Sequence, residues 1–190
     1  EVPWWRDQSY YDEYGRGSYQ RDGGGVLISQ AIHTLDLMLS MTGPVKTVHA
    51  LCATTPFHRM EAENFASGVI EFESGAFGSV FTSTASFPGD AESLIFNCDK
   101  ATAMLKSGIL IVKWRDGRTE RFGNVAATGG GSDPMAFPYD WHKSLIHAFV
   151  ISMKNKRQPR VTGFHALQVH RLINAFEKSS REGRKVLVQD

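Results

Sequence analysis

Residues 66–85, ASGVIEFESGAFGSVFTSTA, decide the fold. Two runs of strand-forming residues, 66–73 and 76–85, flank Ser74-Gly75, and a two-residue Ser-Gly break between such runs reads as a hairpin turn. The pattern spreads to both sides. Upstream, residues 45–54 alternate Val45, Thr47, His49 and Leu51 with Lys46, Val48, Ala50 and Cys52, a strand of period two. Downstream, 93–98, 101–105, 109–113 and 119–122 are shorter strands punctuated by Asp99-Lys100, Ser107-Gly108 and Asp116-Gly117. Short turns between successive strands make a meander, and a meander is antiparallel.

Around this meander the period changes to that of helices. Leu27, Ile28, Ala31, Ile32, Leu35 and Leu39 predict a mostly buried helix over 26–41, stopped by Gly43-Pro44. Residues 139–154 carry Trp141, Leu145, Ile146, Phe149 and Val150 on one helical stripe, with Trp141 and Phe149 expected in the core. A third helix, 163–181, has Thr162 as N-cap and Gly183 as C-cap and turns Ala166, Leu167, Val169, His170, Ile173 and Phe176 inward. Short strands over 2–5 and 185–188 stand at the ends, and the Gly-rich stretch 124–138 is a loop. Strands clustered between helices predict the α+β class: an open, mostly antiparallel sheet with helices packed on one face. The other face, with Ala76, Gly78, Ser79, Thr82, Ser83 and Thr84, is small and hydroxylic and suits a partner domain or subunit.

The 190 residues suffice for one domain, and 42% hydrophobic residues allow a core of useful size. A net charge of +1 gives no electrostatic basis for binding nucleic acid or an anionic membrane. No apolar run reaches the length of a membrane span. Cys52 and Cys98 form no paired framework, so both are expected as free thiols in the reducing cytoplasm.

Several motifs fail on chemical grounds. Gly15-Arg16-Gly17 lacks the third glycine, the preceding strand and the following helix that a dinucleotide fingerprint needs. Gly129-Gly130-Gly131-Ser132 lacks the lysine of a phosphate loop. The pairs His142/His147 and His165/His170 are spaced by five, which puts them on different helix faces, so no metal site is expected.

One constellation survives. In Gly23-Gly24-Gly25-Val26-Leu27-Ile28-Ser29-Gln30-Ala31-Ile32-His33-Thr34-Leu35-Asp36, glycines lead into a helix on which Ser29, His33 and Asp36 share one semi-buried face. An imidazole is suited to accept the hydroxyl proton when an alcohol gives up a hydride. The same residues also fit a core histidine held by Asp36.

This segment resembles the signature of the Gfo/Idh/MocA family, the relatives of glucose–fructose oxidoreductase and inositol dehydrogenase. That signature runs Gly-Gly, apolar residues, Asp or Asn, then Gly-x-His-x-x-Asp. His33 falls on its histidine, Asp36 on its last Asp, and Ser29 stands where Asp or Asn is usual. Trp4-Trp5-Arg6, Tyr10-Tyr11 and Tyr14-Gly15-Arg16-Gly17 are similar to the family's aromatic lead-in. Pro159-Arg160-Val161-Thr162-Gly163 and Glu182-Gly183-Arg184-Lys185-Val186 are similar to its closing helix and strand.

The resemblance implies an NAD(P)-dependent dehydrogenase acting on a CH–OH group of a sugar, sugar derivative or cyclitol. NAD or NADP would be bound mainly by an N-terminal Rossmann domain that also brings a Glu-Lys-Pro motif. Neither is present in residues 1–190, which are expected to form a single substrate-binding and oligomerisation domain, inactive alone. His33 would be the proton acceptor, Asp36 its orienter or a substrate ligand, and Ser29 a hydroxyl ligand. Tyr10, Tyr11, Arg16, Arg6 and Gln30 would line the polyol pocket. Dimers or tetramers would form through the sheet face. The alternative is a non-catalytic sugar-binding or assembly module of the same fold, which Ser29 would permit.

Overall fold

The computed structural model describes residues 1–124 and 139–188. Its strands are β1 (Val2–Pro3), β2 (Val45–Ala53), β3 (Phe65–Phe72), β4 (Phe77–Ser83), β5 (Ser93–Asn97), β6 (Ala101–Lys106), β7 (Ile109–Trp114), β8 (Thr119–Phe122) and β9 (Val186–Leu187). The helices are α1 (Gln8–Asp12), α2 (Ile32–Thr42), α3 (Asp140–Lys154) and α4 (Gly163–Glu182), with a π-helical turn, Leu27–Ala31, leading into α2.

The meander divides into two sheets, where sequence suggested one. A five-stranded sheet has the order β1-β4-β3-β2-β9, and a four-stranded sheet has the order β5-β6-β7-β8. Every pairing is antiparallel except β1 with β4. The turns form where glycine or a turn residue permits positive φ, at Gly75 and at Ser107-Gly108. The loop expected over 124–138 lies outside the described residues from 125 on.

The core lies between the inner face of the large sheet and two helices. Val48 and Ile70 are cross-strand partners, and they meet Leu27, Ala31, Leu35, Leu172 and Phe176 from α2, its leading turn and α4. Each large side chain buried in this way contributes about 1.5–3 kcal/mol. α4 starts at a capping box between Thr162 and His165 and ends at Gly183 in the left-handed conformation, as its sequence requires.

Three burial expectations fail. Trp141 and Phe149 are 54% and 51% exposed, and no residue of α3 is buried. On α4, Ala166, Leu167 and His170 are exposed, because the buried stripe of the helix begins only at Val169 and runs through Leu172, Ile173 and Phe176. The outer sheet face is only partly small and hydroxylic: Ser79 stands on it, paired with Val69. Leu51, Val69 and Phe77 stand on it, while Gly78 and Thr82 pair with inward residues of β3.

Candidate functional site

The site is built where the glycine lead-in meets the start of β3. Gly25 packs so closely on β3 that a Cβ there would stand 1.7 Å from the carbonyl oxygen of Glu63, so only glycine fits. Val26 N–H donates to that same oxygen at 2.8 Å. From this anchored start the π-helical turn runs through Ser29 and Gln30, and α2 follows with His33 on its first turn.

His33 and Asp36 are both exposed rather than semi-buried. They line a cleft of about 800 Å³ between α2 and the beginning of α4. Ile32, Leu39 and Phe164 give it apolar walls, and Arg160, His165 and His170 add polar ones. Asp36 makes no hydrogen bond or ion pair to His33 among the described residues, so the imidazole faces the cleft without its expected orienter.

Five of the other sequence-selected residues form one connected cluster. Ser29 Oγ donates to the Gln30 side-chain oxygen, and Gln30 Nε2 donates to Tyr10 Oη at 3.3 Å. The guanidinium groups of Arg6 and Arg16 lie 5.2 and 4.9 Å from the centre of the Tyr10 ring, within cation–π range. Arg16 pairs with Glu13 at 3.3 Å on the surface. Arg6 stacks on Trp4 as well, and its buried Nε–H has no hydrogen-bond partner among the described residues. A phenol, an amide and two guanidinium groups form an array of fixed donors of the type that holds hydroxyl and acidic groups.

Tyr11 departs from the expectation that it lines the pocket. It is buried, its hydroxyl engages Thr84 Oγ1 at 2.6 Å, and burial pushes its phenol pKa up to about 12. Its ring packs 4.8 Å from that of His58, a residue the sequence reading passed over. His58 is buried and is held from both sides. Asn64 takes the Thr55 backbone N–H on its side-chain oxygen at 2.7 Å, so its amide nitrogen faces His58 Nδ1 at 2.8 Å. His58 Nε2 then carries the proton and donates to the Arg6 carbonyl at 2.7 Å. This neutral tautomer fixes the backbone of Arg6.

Glu63 was also missed. Its carboxylate accepts the N–H groups of Gly25 and Leu27, each at 3.1 Å. Burial pushes its pKa above the ordinary carboxylate range, against the lowering effect of these hydrogen bonds. The signal available in sequence was the polar pair Glu63-Asn64 directly before an alternating strand. Cys52 is unpaired, and burial raises its thiol to about 12, which removes it as a nucleophile.

Fold and site together define the sheet-based α+β type of C-terminal domain. A family model described as the GFO/IDH/MocA C-terminal domain matches residues 1–104, more than half of the chain, and the chain belongs to that family. It is similar to the WlbA dehydrogenase of Chromobacterium violaceum, solved in complex with NADH and UDP-GlcNAcA, at 25% identity and a TM-score of 0.69 over 97% of this chain and 52% of that one. The WlbA dehydrogenase of Bordetella pertussis, with the same two ligands, shares the fold at 24% identity and a TM-score of 0.69 over 98% of this chain and 52% of that one. Levoglucosan dehydrogenase, in complex with NADH and L-sorbose, shares it at 18% identity and a TM-score of 0.79 over 98% and 57%. The chain thus spans about half the length of these solved structures. No curated protein sequence matches it significantly.

Proposed function

We propose that this chain is the substrate-binding domain of a two-domain NAD(P)-dependent oxidoreductase that oxidises a CH–OH group of a sugar, sugar derivative or cyclitol. The observation that carries the reading is an imidazole, His33, exposed at a cleft on the anchored start of a helix. His33 accepts the hydroxyl proton as the carbinol C–H leaves as hydride. NAD(P)⁺, when bound, takes that hydride. Asp36, on the same cleft wall, binds a second substrate hydroxyl. Ser29, Gln30, Tyr10, Arg6 and Arg16 hold the remaining hydroxyl or acidic groups of the substrate. The NADH and sugar ligands of the similar solved structures support this class of cofactor and substrate.

The nucleotide is held mainly by a Rossmann domain outside residues 1–190. The exposed apolar residues Trp141, Leu145, Phe149 and Phe164 of α3 and α4 support a neighbouring domain of this kind. Hydride transfer needs the reacting atoms held about 3–3.5 Å apart, so residues 1–190 alone reduce no cofactor. The outer sheet face, with Leu51, Val69 and Phe77 exposed on it, pairs copies of the protein into a dimer or tetramer. Two unpaired cysteines fit a reducing cytoplasm, and no helix among the described residues is long and apolar enough to cross a membrane.

The test is cofactor reduction by the full-length protein across a panel of aldoses, sugar acids, nucleotide sugars and inositols. His33→Ala is expected to lower kcat/KM by about 10²-fold or more. A near-wild-type rate removes His33 from the mechanism. A second reading, a non-catalytic sugar-binding module, is favoured by Ser29, whose hydroxyl bonds to Gln30 and to the Gly25 carbonyl. Sugar binding without turnover by the full-length protein selects it.

A further inference from the structure

We propose that Glu63 is a positioning residue for His33, acting through the first turn of the helix that carries it; this rests on the dehydrogenase reading above. Glu63 is 5% exposed and stands just before β3, 36 residues from Leu27. One carboxylate oxygen takes the Gly25 N–H and the other the Leu27 N–H, while the Glu63 carbonyl takes the Val26 N–H between them. Three successive backbone donors at the helix start are therefore satisfied by one residue. Such donors have no partner within the helix itself, and Val26, at the cap position, has no side-chain cap. A carboxylate there also complements the positive end of the helix dipole.

The clamp matters because the turn it holds is not an ordinary one. Leu27–Ala31 is π-helical and ends immediately before Ile32 and His33. A π turn closes its hydrogen bonds one residue further along than an α turn; such turns are rare and are frequently found at functional sites. Relaxation to α-helical hydrogen bonding would advance the following residues by one position, about 100° around the axis. Glu63 pins the turn at its first residue and at Gly25 before it, while the buried side chains of Leu35 and Met38 pin α2 beyond it. The direction of the His33 ring therefore depends on a carboxylate that touches neither substrate nor cofactor. Substitution of Glu63 should alter the catalytic step more than substrate affinity.

The experiment uses the full-length protein labelled with ¹³C-histidine, with the His33 ring signal assigned by its loss in His33→Gln. Glu63→Gln keeps the size of the side chain but sets an NH₂ group against one of the two N–H donors. It is expected to remain folded, to move or split the His33 signal, and to lower kcat by about 10–100-fold with KM changed less than about threefold. The turnover probe is the most rapidly oxidised sugar of the panel, and the His33 signal needs no ligand. Glu63→Asp, which keeps the charge, is expected to recover part of the rate. A folded Glu63→Gln or Glu63→Ala protein with an unmoved His33 signal and unchanged kcat overturns the proposal. So does failure of all three variants to fold, which makes Glu63 a folding residue. If the wild-type protein reduces no cofactor with any sugar of the panel, the dehydrogenase reading fails instead, and if His33→Ala retains full activity, the role of His33 fails, whatever Glu63→Gln does to the ring signal.

Discussion

Gly25 and Gly117 are both glycines in a turn-rich sequence, yet the structure uses them differently. At Gly117, φ is +93° and no atom lies within 4 Å of an added Cβ, so alanine there carries only the left-handed penalty of about 1–2 kcal/mol. At Gly25 the obstacle is backbone: the Glu63 carbonyl at 1.7 Å cannot rotate away as a side chain would. Gly25→Ala is expected to cost about 3 kcal/mol or more, and Gly117→Ala clearly less, in urea unfolding of the full-length protein. Equal costs would mean that the approach to β3 relaxes freely. The pair Tyr10 and Tyr11 teaches the same lesson. Both looked fit to line a pocket, but α1 is a single short helix on which neighbours point about 100° apart. One ring reaches Gln30 and the arginines, and the other goes into the interior beside His58.

Among the elements, α4 shows how much of a helix its own sequence can specify. Thr162 and Gly183 mark both ends, because capping is local chemistry within a few residues. Its docking is not local. Beyond Val48 the edge of β2 has no β9 partner, and two serines of α4 take the place of a strand. Ser179 Oγ accepts the Ala50 N–H at 3.0 Å and donates to the Arg184 carbonyl at 2.6 Å, while Ser180 Oγ accepts the Cys52 N–H at 2.8 Å. Ser179→Ala leaves the Ala50 N–H and the Arg184 carbonyl without that partner, and Ser179 itself is fully buried. The expected loss is about 1–3 kcal/mol, read as a melting temperature lowered by about 2–4 °C per kcal/mol. An unchanged melting temperature would show that water replaces the hydroxyl. The π-helical turn was equally hidden, since the apolar spacing of 27–39 reads as regular α-helix and hydrogen-bond register leaves no mark in composition.

On the scale of the whole molecule, the main surprise is how much apolar surface stays outside. Val69 and Phe77 are 60% and 81% exposed on the outer sheet face, and Leu51 is exposed beside them. Apolar patches of this kind mark interaction surfaces. Val69→Asp with Leu51→Asp is expected to reduce the sedimenting mass of the full-length protein to a smaller assembly while leaving it folded by circular dichroism. An unchanged mass would remove this face from assembly. The sequence patterns anticipated an apolar stripe on α3, and the stripe exists. Assigning Trp141 and Phe149 to the core assumed that an apolar stripe always finds its cover within the same domain, and here it does not.

Periodicity, turn residues and caps were enough to define the α+β class, the antiparallel meander, the helix bearing Ser29, His33 and Asp36, and the family signature, because each depends on residues within one or two turns of one another. Tertiary structure alone decided the split into two sheets, the inward turn of Tyr11, the carboxylate clamp from Glu63 and the tautomer of His58. The clamp and the inward turn of Tyr11 depend on groups 36 and 73 residues apart meeting at hydrogen-bond distance, and no local pattern encodes which distant partner a buried polar group will find.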